Sequence, residues 1–325
     1  MARCAGWGIE QAMALAWLFP GQGSQSVGMG KDLIATSKAA KDIFDRADAA
    51  LGEPLSKLIL EGPEADLTLT ANAQPAIVTT SIAALAAIRE RFPSLPQPKF
   101  AAGHSLGEYS ALVAAGALSL EDAVRIVRAR GRAMQDAVPA GTGAMAAIMG
   151  VEGDVLEKIC REVEAEGIGV VSCANFNAPG QIVIAGTATA VARASERANE
   201  VKGKAIPLKV SAPFHCALMA PAGKVVGDEL DKVTVSPFAF PVVANVDAAP
   251  NTEPGRVKEL LVRQVDGAVR WEQAIRFMHD NGVTRALEIG PGKVLAGLGK
   301  RITKDLKMTS VGDAASLDAL GAFLG

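Results

Sequence analysis

The segment that most limits what this chain can fold into is Gly103-His-Ser105-Leu-Gly107, which joins an apolar strand pattern over residues 99–103 to an apolar helix pattern over residues 106–115. A strand that turns into a helix within so few residues must bend sharply, and the glycines flanking the serine allow the close backbone approach that the bend needs. Strands that pass into helices in this way belong to mostly parallel sheets with crossover helices, so the motif selects the α/β class. The alternation recurs along the chain. A strand is expected over 14–19, running into the loop Pro20-Gly-Gln-Gly-Ser-Gln25, followed by helix to about residue 60 and by a long helix over 76–92. A helix over 120–137 follows the elbow, and strands over 240–245 and 285–289 flank a helix over 271–280 near the C-terminus.

The middle of the chain has a different rhythm. Strand patterns over 143–149, 169–175, 181–185 and 204–209 are interleaved with helix patterns over 153–166 and 187–201, the latter opened by Thr187. The second and third strands are separated by the turn signal Asn177-Ala-Pro-Gly180. This is the βαββαβ order of a ferredoxin-like unit. Residues 137–209 are therefore expected to form a small domain inserted into a large α/β domain made of 14–136 and 210–325, with 1–13 as a loose extension and Met13 as an alternative start.

Composition narrows the function classes. The 33 basic and 35 acidic residues nearly cancel, to a formal charge of −2, and no run of one sign suggests a nucleic-acid footprint. No stretch reads as long and apolar enough to span a bilayer, and the opening segment MARCAGWGIEQA lacks the apolar core of a signal peptide. The four cysteines form no C-x-x-C pair, which argues against a structural zinc and suits a reducing, cytoplasmic compartment. Cys216 reads as a small buried hydrophobe. With no paired metal ligands and no complete dinucleotide or phosphate-loop motif, no metal and no bound cofactor are expected.

A serine nucleophile needs a base, and the chain offers three histidines. His104 adjoins Ser105, and neighbouring side chains leaving a strand diverge, so it is expected beside the site rather than as the base. His279 falls on a helix surface. His215 follows Ser211-Ala-Pro-Phe214 on a loop and is the expected general base. No nearby acid identifies itself as a third member, and a backbone carbonyl could orient the imidazole instead. On the helix over 120–137, Ala123, Ile126, Val127, Ala133, Met134 and Ala137 share a broad apolar face, with Arg125, Arg128 and Arg132 opposite and Arg130 near the middle of the apolar face. A buried guanidinium must be paired, here either by a protein carboxylate or by an anionic ligand. Its fork geometry suits a carboxylate.

Taken together these segments resemble the malonyl-CoA:acyl carrier protein transacylases and the acyltransferase domains of polyketide synthases. The resemblance spans residues 14–302 and rests on Phe19-Pro-Gly-Gln-Gly-Ser-Gln25, Gly103-His-Ser-Leu-Gly-Glu108, Arg130-Gly131, Asn175-Phe-Asn-Ala-Pro-Gly180, Ala212-Pro-Phe-His215 and Glu288-Ile-Gly-Pro-Gly292. It implies an α/β hydrolase-like large domain with a ferredoxin-like insertion. It also implies Ser105 as nucleophile, His215 as base, the backbone N–H groups of Gln22 and Leu106 as oxyanion hole, and Gln264 orienting His215 through its carbonyl. Arg130 would bind the malonyl carboxylate, with His104, Met134 and Phe214 lining the substrate site; Asn175 and Asn177 fall on a loop near the cleft with no role assigned. The implied substrate is malonyl-CoA and the implied partner is acyl carrier protein, which presents its phosphopantetheine thiol transiently to a monomeric cytoplasmic enzyme. The alternatives are a stand-alone acyltransferase of a polyketide pathway, a serine thioesterase or esterase, and a non-enzymatic carrier-protein docking module.

Overall fold

Ten strands organise the described residues: β1 (Leu15–Phe19), β2 (Phe100–Gly103), β3 (Gly143–Met149), β4 (Val171–Ala178), β5 (Gln181–Thr187), β6 (Lys204–Pro207), β7 (Val242–Val243), β8 (Pro250–Asn251), β9 (Arg285–Ile289) and β10 (Lys307–Val311). The computed structural model describes residues 14–139, 141–210 and 212–324; the expected extension over 1–13 and the alternative start at Met13 lie outside the described residues. Six strands form one sheet in the order β10-β9-β1-β2-β7-β8, parallel except for the antiparallel β7–β8 edge. β1 and β2 sit at its centre and are buried along their whole length, as strands covered by helices on both faces must be. The other four strands form a wholly antiparallel sheet in the order β4-β5-β3-β6, with helices Gly153–Ala165 and Ala188–Glu200 packed on it.

The expected strand over 240–245 shortens to β7 because Pro241 has no N–H to give, although its carbonyl still accepts from Ala101 N. The strand expected over 169–175 continues to Ala178 through two irregularities, which moves Asn175 and Asn177 from a loop onto β4.

Helix Thr70–Arg91 overturns one expectation. It starts well before residue 76, with Pro75 inside it. By length and hydropathy it could cross a membrane, contrary to the sequence reading, but 83% of its most apolar window is buried within the protein. A helix that is apolar all round is a core helix when neighbours surround it. Pro75 is accommodated because the carbonyl it leaves without a helical partner, that of Ala71, accepts from Arg128 Nη1 at 2.7 Å.

The sharp turn after β2 depends on bare backbone. A Cβ on Gly103 would lie 1.9 Å from the Gly107 carbonyl carbon, and one on Gly107 would lie 2.2 Å from the Phe19 carbonyl oxygen. Gly103→Ala is expected to destabilise the fold by about 3 kcal/mol or more in urea unfolding, since only backbone could move to relieve the overlap. Gly297, exposed inside helix Val294–Ile302 with open space where a methyl would sit, is the contrast: Gly297→Ala should gain roughly 0.5–1 kcal/mol.

Candidate active site

The site lies at the carboxyl ends of β1, β2 and β7, the usual ligand position in an open parallel sheet. Ser105 follows β2 and precedes helix Gly107–Ala114. His215 arrives on the loop before the helical turn Ala217–Met219, and Gln264 from helix Val257–Asp266. Ser105 and His215 both hold left-handed backbone, with φ of 51° and 60°. Each such conformation costs a side-chain-bearing residue on the order of 1–3 kcal/mol, so the surrounding contacts must enforce it.

Ser105 Oγ lies 2.8 Å from His215 Nε2, and His215 Nδ1 lies 2.8 Å from the Gln264 backbone carbonyl. A carbonyl only accepts, so Nδ1 carries the hydrogen and Nε2 offers its lone pair to the Ser105 hydroxyl. Burial, then the Arg130 charge, push the His215 imidazole down to about 3, which keeps it neutral. The carbonyl thus takes the place of the acid that the sequence does not reveal.

Arg130 is 1% exposed. Its Nη1 donates to Gln74 Oε1 (2.9 Å), and its Nη2 to Ser105 Oγ (3.1 Å) and Gln264 Oε1 (3.0 Å). Among the described residues its Nε has no hydrogen-bond partner, and its face lies over the Tyr109 ring. Among the described residues it makes no ion pair with a carboxylate, so every partner of this buried cation is neutral. Arg128 differs. It was expected on the solvated face, yet it is 7% exposed and pairs with Glu53, Asn72 and the Ala71 carbonyl. The start of helix Thr70–Arg91 covers that side. Arg128 and Arg130 are both buried, and Arg130 is the one without a protein anion among the described residues.

Gln22, Gln74, His104, Ser105, Arg130, Met134, Asn175, Phe214 and His215 line a cavity of about 100 Å³. A cleft of about 220 Å³ shares Gln22, His104 and Asn175 with it and adds Asn177 and the exposed Val294. All the expected lining residues therefore meet. His104 Nε2 is 2.8 Å from Asn177 Oδ1 and its ring rests on Trp271, so it flanks Ser105 as expected. Leu106 is the residue immediately before helix Gly107–Ala114, where backbone N–H groups lack helical acceptors. The Ser105 N–H itself is occupied by Asn245 Oδ1 at 2.7 Å. Cys216 is buried, with its thiol pushed up to about 11 by burial, and His279 lies away from the site beside Asp280. Another cleft, about 560 Å³ between Ile43, Ile82, Arg89 and Leu120, includes none of the site residues.

Sequence reading missed Gln74, Glu108 and Asn245. Glu108 is the one charged residue of helix Gly107–Ala114 and is 3% exposed; a lone charge in a mostly apolar helix is the signal that could have found it, although that helix has no solvated face to set it against. Burial pushes its carboxyl up to about 7. Gln74 and Asn245 carry no such signal, because neutral amides are commonplace in sequence.

Residues 16–321 match the acyl transferase domain family. The malonyl CoA-acyl carrier protein transacylase of Bacillus subtilis (strain 168) is 52% identical over 305 residues, covering 94% of this chain and 95% of that protein. The chain belongs to the malonyl CoA-acyl carrier protein transacylase family. The Escherichia coli (strain K12) transacylase is 45% identical, covering 94% and 97%. Among solved structures, the acyl-carrier-protein-S-malonyltransferase of Bartonella henselae superposes with a TM-score of 0.91 at 47% identity, covering 96% of this chain and 100% of that one. A malonyl-transacylase in complex with a type II PKS acyl-carrier protein gives 0.90 at 43%, covering 94% and 98%. The chain is thus an acyltransferase, and the buried, anion-free guanidinium lies in a member of a family whose named substrate is an acyl thioester with a free carboxylate.

Proposed function

We propose that this acyltransferase moves malonyl from coenzyme A to the phosphopantetheine thiol of acyl carrier protein through an ester on Ser105, supplying fatty acid chain elongation. The observation that carries the reading is Arg130, a buried guanidinium within hydrogen-bond distance of Ser105 and without a protein carboxylate among the described residues. A malonyl carboxylate supplies the missing charge.

In the first half-reaction Ser105 Oγ attacks the thioester carbonyl as its proton passes to His215 Nε2. The backbone N–H groups of Gln22 and Leu106 receive the negative charge that develops on the carbonyl oxygen; one such donor is worth about 3 kcal/mol. The tetrahedral intermediate collapses, the C–S bond breaks, and the imidazolium returns its proton to the leaving coenzyme A thiolate. In the second half-reaction His215 takes the proton of the carrier thiol, whose sulfur attacks the malonyl-serine ester; the ester C–O bond breaks, and the imidazolium returns its proton to Ser105 Oγ, restoring both residues. Every step uses side-chain and backbone groups of one chain, which supports a monomer without a bound cofactor as the working unit. The three buried free thiols Cys160, Cys173 and Cys216 support a reducing, cytoplasmic setting.

The same reading assigns residues 14–136 and 210–325 to a hydrolase-like catalytic domain and 137–209 to a ferredoxin-like one. The parallel sheet with its serine elbow supports the first, and the order β4-β5-β3-β6 with two helices supports the second. The likeness to a transacylase solved with a polyketide carrier protein favours a polyketide carrier as the second candidate acceptor.

The test is intact-mass detection of the acyl-enzyme with a panel of acyl-CoAs, followed by addition of carrier protein. A malonyl adduct lost on Ser105→Ala and discharged by the carrier thiol is expected. Release of free acid without a thiol would make the protein a hydrolase, and no adduct at all would leave a docking module.

A pH profile follows from the His215 environment. The base works when neutral and is lost as pH falls through its pKa, held here to about 3. In kcat/KM for malonyl-CoA, which reports the free enzyme, the acid limb near 6.5 of an ordinary imidazole should be missing between about pH 8 and pH 5. An ordinary imidazole would lose about 30-fold by pH 5.

A further inference from the structure

We propose that Glu108 is a positioning residue for acyl-group selectivity: it orients the Gln264 amide so that the amide oxygen holds Arg130 aimed at the malonyl carboxylate. This rests on the malonyl-transfer reading above. Glu108 does not line the cavity, yet it is linked to nearly every group that does the chemistry. Its Oε2 accepts from Gln264 Nε2 at 2.8 Å and from Asn245 N at 3.0 Å. Asn245 in turn accepts the Ser105 N–H and donates to the Gly103 carbonyl at 2.7 Å, so the same carboxylate steadies the elbow.

The decisive detail is donor and acceptor polarity. An amide can be turned end for end with almost no change of shape, so only its partners fix which end points where. Gln264 Nε2 gives one hydrogen to Glu108 Oε2 and the other to the Ser105 carbonyl at 2.9 Å. Both are acceptors. Oε1 must then face Arg130 Nη2, 3.0 Å away. Turned over, the amide would set its NH₂ against the guanidinium and its oxygen against two oxygens. The backbone carbonyl of the same glutamine holds His215 Nδ1, so a single residue fixes both the base and the reader of the acyl group.

The arrangement also explains how a charged clamp stays free for substrate. A direct Glu–Arg pair would fill the guanidinium fork. With one amide between them, Glu108 fixes the amide as a hydrogen-bond acceptor while leaving the fork to neutral, displaceable partners.

The experiment uses the full chain and single-turnover acylation of Ser105 by malonyl-CoA and by acetyl-CoA, read as intact mass. Glu108→Met keeps the volume and removes the acceptor; malonyl acylation should fall about 30-fold, and acetyl acylation, which shares only the loss at the Asn245 elbow contact, by about fivefold or less. Glu108→Gln keeps an acceptor oxygen and should restore the malonyl rate to within about threefold of the parent. Gln264→Met should lose the same selectivity, and adding Glu108→Met to it should cost no further selectivity, because the glutamate acts through the amide. Equal loss with both acyl groups, failure of Glu108→Gln to rescue, or additive losses in the double variant would overturn the proposal. If Glu108→Met does not fold, Gln264→Met decides alone, and an unchanged malonyl-to-acetyl ratio overturns it. Malonyl labelling of the parent protein in the same assay separates these outcomes from failure of the transfer reading.

Discussion

Arg130→Ala should reduce kcat/KM for malonyl-CoA by about 1,000-fold or more, and for acetyl-CoA by about tenfold or less. The asymmetry follows from what the guanidinium lacks. Among the described residues its three hydrogen bonds go to neutral oxygens, and its Nε has none. A malonyl carboxylate buried against it gains charge-assisted bonds of the kind whose truncation costs about 2–5 kcal/mol, much of it the penalty of leaving the other charge buried and unpaired. Acetyl brings no charge to strand. The smaller acetyl loss comes from Ser105 and Gln264, which each lose a donor. Arg130→Lys should recover only part of the malonyl rate, because a point charge cannot make two parallel bonds to a carboxylate. Steady-state kinetics with both thioesters check this, and equal losses would remove Arg130 from substrate recognition.

Ser105→Ala, His215→Ala and the double variant should all fall to one floor, about 10,000-fold or more below the parent in transfer to carrier protein. Neither residue does its part alone. Without the imidazole the hydroxyl keeps its proton at the moment of attack, and without the hydroxyl the imidazole has no nucleophile to activate. The 2.8 Å contact and the single tautomer set by the Gln264 carbonyl make them one unit. The malonyl-enzyme should be absent from both Ser105→Ala variants by intact mass. Independent, multiplying losses would mean that His215 acts on something other than Ser105.

How much of this was legible beforehand depended on the kind of signal. The elbow, the βαββαβ stretch and the burial of Arg130 were readable because they are periodicities of neighbouring residues. Local reading failed where a distant segment intervened. Arg128 looked solvated until helix Thr70–Arg91 was found against it, with an Ala71 carbonyl left open by Pro75. That helix was itself expected to begin after the proline, since a proline normally ends or kinks a helix. Its length and apolar character alone would also suit a membrane span, and tertiary packing is what assigns it to the core.

By itself the sequence determined the α/β class, the serine at a strand-to-helix turn, the single suitable histidine and the misplaced arginine, because each is written in spacing that survives without knowledge of the fold. Tertiary structure alone decided what those groups say to one another. Whether Arg130 meets a protein carboxylate, which atom of His215 holds the proton, and which way the Gln264 amide points all depend on atoms that residues 49–159 positions apart bring within about 3 Å. Hydrogen-bond polarity is a property of such contacts and leaves no period in the chain.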